Sequence, residues 1–121
     1  MAMNLKAYAK QLNNPGVSHK NHPGPKHGEI WMADSLPFSD GINCKSRPVL
    51  VIGRRGNELL CYKCTSQHSD YRKRYELQDL IEAGLCVPTF LDYEVLHIPC
   101  NKLIYRMGHI SEADAEGFGA L

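Results

Sequence analysis

An arginine stands at the mouth of an apolar run, Arg47-Pro48-Val49-Leu50-Val51-Ile52, and twelve polar-rich residues, Ser35 to Ser46, separate it from an earlier run beginning Gly28-Glu29-Ile30-Trp31. A guanidinium carries a permanent charge and a rigid donor fork suited to phosphate, and the proline after it fixes the backbone that aims it. Taken alone, an Arg-Pro pair fits a solvated residue ahead of a strand equally well. Farther along, Thr65-Ser66-Gln67 ends another apolar run. The Thr65 hydroxyl could bond a phosphate oxygen and Ser66 could assist, although small hydroxyl residues are also ordinary at strand ends. His68 follows, of the side-chain type whose charge changes near neutral pH, and is the candidate for proton transfer; a histidine in a polar loop is also often incidental. Tyr71-Arg72-Lys73-Arg74-Tyr75 sets three cations between two rings. That interleaving suits single-stranded RNA, whose phosphates need cations and whose bases need flat partners, and it equally suits an edge strand protected by charge. Asp34 and Asp40, near the long loop, could orient Arg47 or a sugar hydroxyl, or simply cap the loop.

The elements that must position these groups read as mostly β. Strands are expected at 29–34, 47–54, 58–65, 73–78 and 91–98, with a hairpin turn at Arg54-Arg55-Gly56-Asn57. One helical turn is expected over Asp79 to Ala83, with Gly84 as its terminator, and Leu103 to Met107 forms a further strand or a helix start. Ser111-Glu112-Ala113-Asp114 has the pattern of an N-cap followed by first-turn acids. Closely spaced short strands with little helix point to a small barrel or two packed sheets. Before Gly28, residues 3 to 12 have helical spacing at Leu5, Tyr8 and Leu12, and the stretch from Asn13 to His27 reads as a linker. The organisation expected is a basic extension over 1–27 and one domain over 28–121.

Composition bounds the function. At 121 residues the chain is long enough for one unstapled core, and 43% hydrophobic with 22% charged residues is ordinary globular composition. No apolar stretch approaches the roughly 18 residues of a membrane span and no leader pattern opens the chain, so a cytoplasmic protein is expected. Net charge is +1, but Lys6, Lys10, Lys20 and Lys26 lie in residues 1–27 without an acid, leaving 10 basic and 13 acidic residues, a net −3, in the body. Any nucleic-acid site must then be a local patch. Cys44, Cys61, Cys64, Cys86 and Cys100 are an odd number, which argues for free thiols. Cys61 and Cys64 have zinc-knuckle spacing, but on a strand their sulfurs would point to opposite faces, and no second pair exists. His19, His22 and His27 read as solvated residues of a tail. No metal or cofactor is expected.

Gly28-Glu29-Ile30-Trp31, the loop with Pro37 and Gly41, Arg47-Pro48-Val49-Leu50-Val51-Ile52 and Thr65-Ser66-Gln67 together resemble the MazF/PemK family, toxins of type II toxin-antitoxin modules, over about residues 28 to 112. The resemblance implies an SH3-like barrel and a metal-independent endoribonuclease (mRNA interferase) acting on single-stranded RNA through its 2′-hydroxyl. It implies a homodimer with a groove across the interface, gated by the loop Ser35 to Ser46, and a cognate antitoxin that blocks it. The family's paired active-site residues match Arg47 and Thr65, with Ser66 beside them and His68 a weaker candidate. Trp31, Asp40, Gln67, Tyr71, Arg72, Lys73 and Arg74 are expected at the substrate. Two departures stand out. Only ten residues follow Ser111, with Gly117 and Gly119 among them, where relatives have a longer helix. In Asp92-Tyr93-Glu94-Val95-Leu96-His97, Glu94 and Leu96 replace an amide and a cation common in relatives. These departures keep open a rival reading, a non-catalytic binding or regulatory module on the same fold.

Overall fold

The computed structural model describes residues 24–37 and 44–121, with side chains over 24–34 and 46–121. The helix expected at 3–12, His19, His22 and Asp40 lie outside the described residues. Strands β1 (Glu29–Pro37), β2 (Cys44–Arg55), β3 (Glu58–Thr65), β4 (Arg74–Glu76), β5 (Phe90–Pro99) and β6 (Leu103–His109) form one antiparallel sheet in the order β4-β5-β3-β2-β1-β6. Helix α1 (Leu80–Ala83) lies between β4 and β5, and α2 (Glu112–Phe118) follows β6. Arg55 pairs with Glu58, so the expected hairpin closes on Gly56-Asn57. β1 and β2 run farther than expected: Leu36 pairs with Lys45 and Pro37 with Cys44, so residues thought to belong to the loop are strand. Their polar composition concealed a pairing that backbone groups make by themselves.

The central strands bury both faces. Ile30, Leu50, Tyr62 and Cys64 join one apolar cluster with Leu77, Leu91, Ile110 and Phe118, while Trp31, Ala33, Val49, Val51, Leu59, Cys61 and Ile98 form a second. That is why 49–52 is continuously apolar rather than alternating.

The sheet must also curl. β5 and β6 are four strand spacings apart in the order, roughly 19 Å if flat, yet only the 3₁₀ turn Cys100–Lys102 joins them. Such a link reaches about 14 Å. Bulges at Ala33/Leu36, Val51/Gly53 and Tyr62/Cys64 supply local bending. The fold is therefore the mainly β, barrel-like one expected, left open because among the described residues no ladder joins β4 to β6.

The two ends of this sheet are locked by close contacts. Asp79 caps α1, its Oδ1 accepting from the Glu82 N–H at 3.1 Å, and Gly84 ends it at φ 77°. A Cβ on Gly84 would strike the Met107 carbonyl and one on Gly108 the Ala83 backbone, so this pair of glycines lets α1 lie directly on β6.

The short last helix is fully docked despite its length. Phe118, 3% exposed, meets the rings of Tyr62 edge-on at 4.9 Å, Tyr93 at 4.5 Å and Tyr75 at 6.1 Å. All three hydroxyls donate to the C-terminal segment: Tyr62 to Ala120 O at 2.8 Å, Tyr93 to Phe118 O at 3.0 Å and Tyr75 to Asp114 Oδ1 at 2.8 Å. Gly117 and Gly119, expected to weaken the helix, serve it: Gly119 caps it at φ 75°, and a side chain on Gly117 would strike the Tyr75 hydroxyl at 2.5 Å. Asp114, 1% exposed, also accepts from the Gln78 and Asp79 amides at 3.0 and 2.9 Å. Burial alone would raise its carboxyl, but those amides and Tyr75 outweigh it and hold it below the usual range.

Candidate active site

Val49 pairs with Lys63 across β2 and β3. Carried two residues on, the same register sets Arg47 against Thr65. With strand period two, Arg47, Lys63 and Thr65 share the face of Val49, Val51 and Cys61 at the end of the sheet. Arg47 is half-buried, its Nε withdrawn from solvent. Thr65 Oγ1 accepts from the Gln67 amide at 3.2 Å, a turn that carries the chain away and leaves Ser66, Gln67 and His68 exposed.

Arg74 pairs in register with Asp92, which brings β4 and the loop before it alongside. Asp92 is 2% exposed and accepts five hydrogen bonds. Arg72 donates Nε to Oδ2 at 3.1 Å and Nη2 to Oδ1 at 2.9 Å; Arg74 donates Nε and Nη2 to Oδ2 at 3.4 Å each; the Glu94 amide donates to Oδ1 at 3.0 Å. Burial alone would raise the Asp92 carboxyl, but Arg72, the Glu94 amide and Arg74 reverse the direction and hold it low. Arg74 Nη1 also donates to Gln67 O at 2.8 Å, and Ser69 Oγ accepts from the Tyr71 and Arg72 amides at 3.2 and 3.0 Å. The loop after Thr65 is thus tied to a buried anion.

Lys63 completes the patch. Burial foremost lowers its pKa, Arg47, Arg74 and Arg72 press the same way, and Asp92 opposes them, so all five charges belong to one electrostatic neighbourhood. Neither Lys63 nor Asp92 was singled out in the sequence. Lys63 had a usable signal, its position two residues before Thr65 on the same strand face. Asp92 had a weaker one, an acid following the apolar Leu91 within a strand.

The other expected residues are distributed unevenly. His68 lies 3.5 Å from Asp70 and edge-on to Phe90 at 5.8 Å. Tyr71 is 98% exposed, and Lys73 Nζ lies 4.9 Å from the Tyr93 ring centroid. Asp34 accepts from Ser46 Oγ at 3.1 Å across the ends of the first loop. Trp31, expected at the substrate, is instead 5% exposed in the second core cluster, its indole N–H donating to Glu29 Oε1 at 2.9 Å. Arg106 Nε holds the other oxygen of Glu29 at 3.0 Å. Cys61 and Cys64 fall in different clusters on the two sheet faces, and burial pushes the Cys61 thiol up to about 12 and Cys64 higher still. Among the described residues no group of three or more His, Cys, Asp or Glu is placed to hold a metal ion.

Six antiparallel strands in this order, curled by a short β5–β6 link and closed off by a small terminal helix, make the fold that of the MazF-type toxins. A solved structure that shares it is the Mycobacterium tuberculosis toxin MazF-mt6, matched at a TM-score of 0.57 and 19% identity over 74% of this chain and 87% of that one. At that identity the likeness is one of fold. No protein-family model and no curated protein matches the sequence.

Proposed function

We propose that this chain is a metal-independent endoribonuclease toxin that cuts single-stranded RNA, works as a cytoplasmic homodimer and is neutralised by a cognate antitoxin. The observation that carries the reading is the pairing of Val49 with Lys63, a register that, carried two residues on, opposes Arg47 to Thr65, with the following loop tied to Asp92 through Arg74. In the proposed reaction the ribose 2′-oxygen attacks the adjacent phosphorus, the bond from phosphorus to the 5′-oxygen breaks, and the products are a 2′,3′-cyclic phosphate and a 5′-hydroxyl. Arg47 stabilises the charge building on the phosphorane with its two-pronged fork, and Thr65 and Ser66 hold a non-bridging oxygen. The proton lost by the 2′-hydroxyl and the proton gained by the leaving oxygen need a base and an acid. His68 and Lys63 are the candidates by type and place, burial making Lys63 readier to give up its proton. Tyr71 and Lys73, exposed on the adjoining loop, suit a base and a phosphate.

The test is cleavage of single-stranded RNA by the purified chain in excess chelator. Arg47→Ala should lose on the order of a hundredfold or more in rate, and Arg47→Lys should recover little. A 2′-deoxy substitution at the cut site should abolish cleavage. Full activity in Arg47→Ala, or cleavage of the deoxy substrate, would overturn the mechanism. A second reading, a non-catalytic module, is favoured by one observation: three of the Arg72 donors are already taken by Asp92 and Glu94. Intact RNA after long incubation with folded protein would support it.

A further inference from the structure

Arg72 has five N–H donors in a planar fork. Nε–H and one Nη2–H are spent on the two oxygens of Asp92 at 3.1 and 2.9 Å, a side-on clamp on a carboxylate that is 2% exposed. The second Nη2–H goes to Glu94 Oε1 at 3.0 Å, and Nη1 makes no hydrogen bond among the described residues. The end-on edge of the guanidinium, Nη1 with Nη2, is thus half occupied, on a side chain that is 49% exposed and against a Glu94 side chain that is 61% exposed. The two acids hold the arginine very differently. Asp92 is buried and shared with Arg74, whereas among the described residues Glu94 has no other side-chain partner and is 61% exposed.

We propose that the end-on edge of Arg72 is a phosphate subsite in the electrostatic neighbourhood of Lys63, and that Glu94 occupies it in the unliganded chain as an internal stand-in for the RNA backbone. The inference rests on the endoribonuclease reading above and names one place where the strand is gripped. Asp92 holds the planar guanidinium in position, which preorganises the fork, while Glu94 is exchangeable. An exposed ion pair resists a competitor by no more than about fivefold. A phosphate offers two oxygens to Nη1 and Nη2 where Glu94 engages one donor, so it wins the exchange in geometry as well as charge. The loop is already rigid at this point, because Ser69 Oγ takes the Tyr71 and Arg72 amides and Arg74 holds Gln67 O. The departure of residue 94 from the pattern of relatives thereby becomes a restraint on RNA affinity rather than a loss of the site.

The test is a double-mutant cycle on binding, read with a short single-stranded RNA made uncleavable by 2′-O-methyl groups. Glu94→Gln should tighten binding about fivefold at low salt. Arg72→Gln should weaken it about tenfold and make the dependence of log affinity on log salt shallower by about 0.7, one phosphate contact on a single strand. In the Arg72→Gln background, Glu94→Gln should gain less than twofold, and Arg72→Lys, which keeps the charge but not the fork, should behave like Arg72→Gln in this respect. Two results overturn the proposal: no gain in Glu94→Gln, or the same gain with Arg72 removed, which would make Glu94 a diffuse charge. If wild type cleaves RNA in either of those cases, only this inference falls. If neither wild type nor Glu94→Gln binds or cleaves RNA, the endoribonuclease reading falls with it.

Discussion

Replacing Asp92 with asparagine removes one charge and almost no volume, and its effect can be worked from the contacts. Oδ1, which accepts from Arg72 Nη2 and the Glu94 amide, survives as the amide oxygen. Oδ2 becomes an NH₂ facing three N–H groups, one from Arg72 and two from Arg74, at 3.1 to 3.4 Å. Arg72 is half exposed and can turn to water, but the Arg74 side chain is 13% exposed and cannot do so freely. Breaking a buried pair by removing one partner destabilises by about 3–5 kcal/mol; with one of the two arginines able to escape, the lower end, about 3 kcal/mol, is expected. For a domain of this size that lowers the melting temperature by about 10–20 °C. Urea unfolding at pH 7 measures the loss directly. The pH dependence is a second readout. Asp92 is held low in the folded chain, so the stability it supplies is complete above the unfolded carboxylate range near 4 and is lost as the pH falls through the folded value. Wild type should therefore destabilise toward acid more steeply than Asp92→Asn, whose remaining acid limb comes from groups such as Asp114. A variant within about 0.5 kcal/mol of wild type, or one with an unchanged acid limb, would refute the view that Asp92 anchors this loop.

Phe118→Ala should destabilise by about 3–5 kcal/mol, because it empties the space among Tyr62, Tyr75 and Tyr93; thermal melting checks it. Gly117→Ala, which in an exposed helix would stabilise by about 1 kcal/mol, should here destabilise, since the added methyl meets the Tyr75 hydroxyl; pairing it with Tyr75→Phe should recover part of the loss in urea titration. In native protein near neutral pH, Cys86 should react quickly with a thiol reagent while Cys61 and Cys64 stay protected until unfolding, a difference that timed labelling and mass spectrometry resolve.

The strands were legible where apolar residues run together or a turn dipeptide separates them. The 49–52 run and Gly56-Asn57 located β2 and β3 because burial on both faces and a tight turn leave local marks. The pairing of Leu36 with Lys45 left no such mark, as ladder hydrogen bonds come from the backbone whatever side chains it carries. Arg47 and Thr65 stood out by type, and their opposition follows from strand register. The Tyr71–Tyr75 run was legible as cations but not as what they hold: Arg72 and Arg74 converge on Asp92, a partner eighteen or twenty residues away that only the β4–β5 pairing brings near. Trp31, expected at the substrate from the resemblance, is 5% exposed in the core, since its place in a central strand that buries both faces is set by the sheet order and not by local sequence.

The pairing of β1 with β6 has a kinetic consequence. Glu29 and His109 are register partners about 80 residues apart, so the outer edge of β1 stays unsatisfied until nearly the last strand has been synthesised. Contacts of that span close slowly, on the millisecond-to-second scale typical of β topologies. A nascent or truncated chain ending before Leu103 would carry the strands that bear Arg47 and Thr65 with no final strand to hold β1 against them. For an endoribonuclease of the kind proposed, the fold itself would delay activity until β6 has been made, sparing the message from which it is being read.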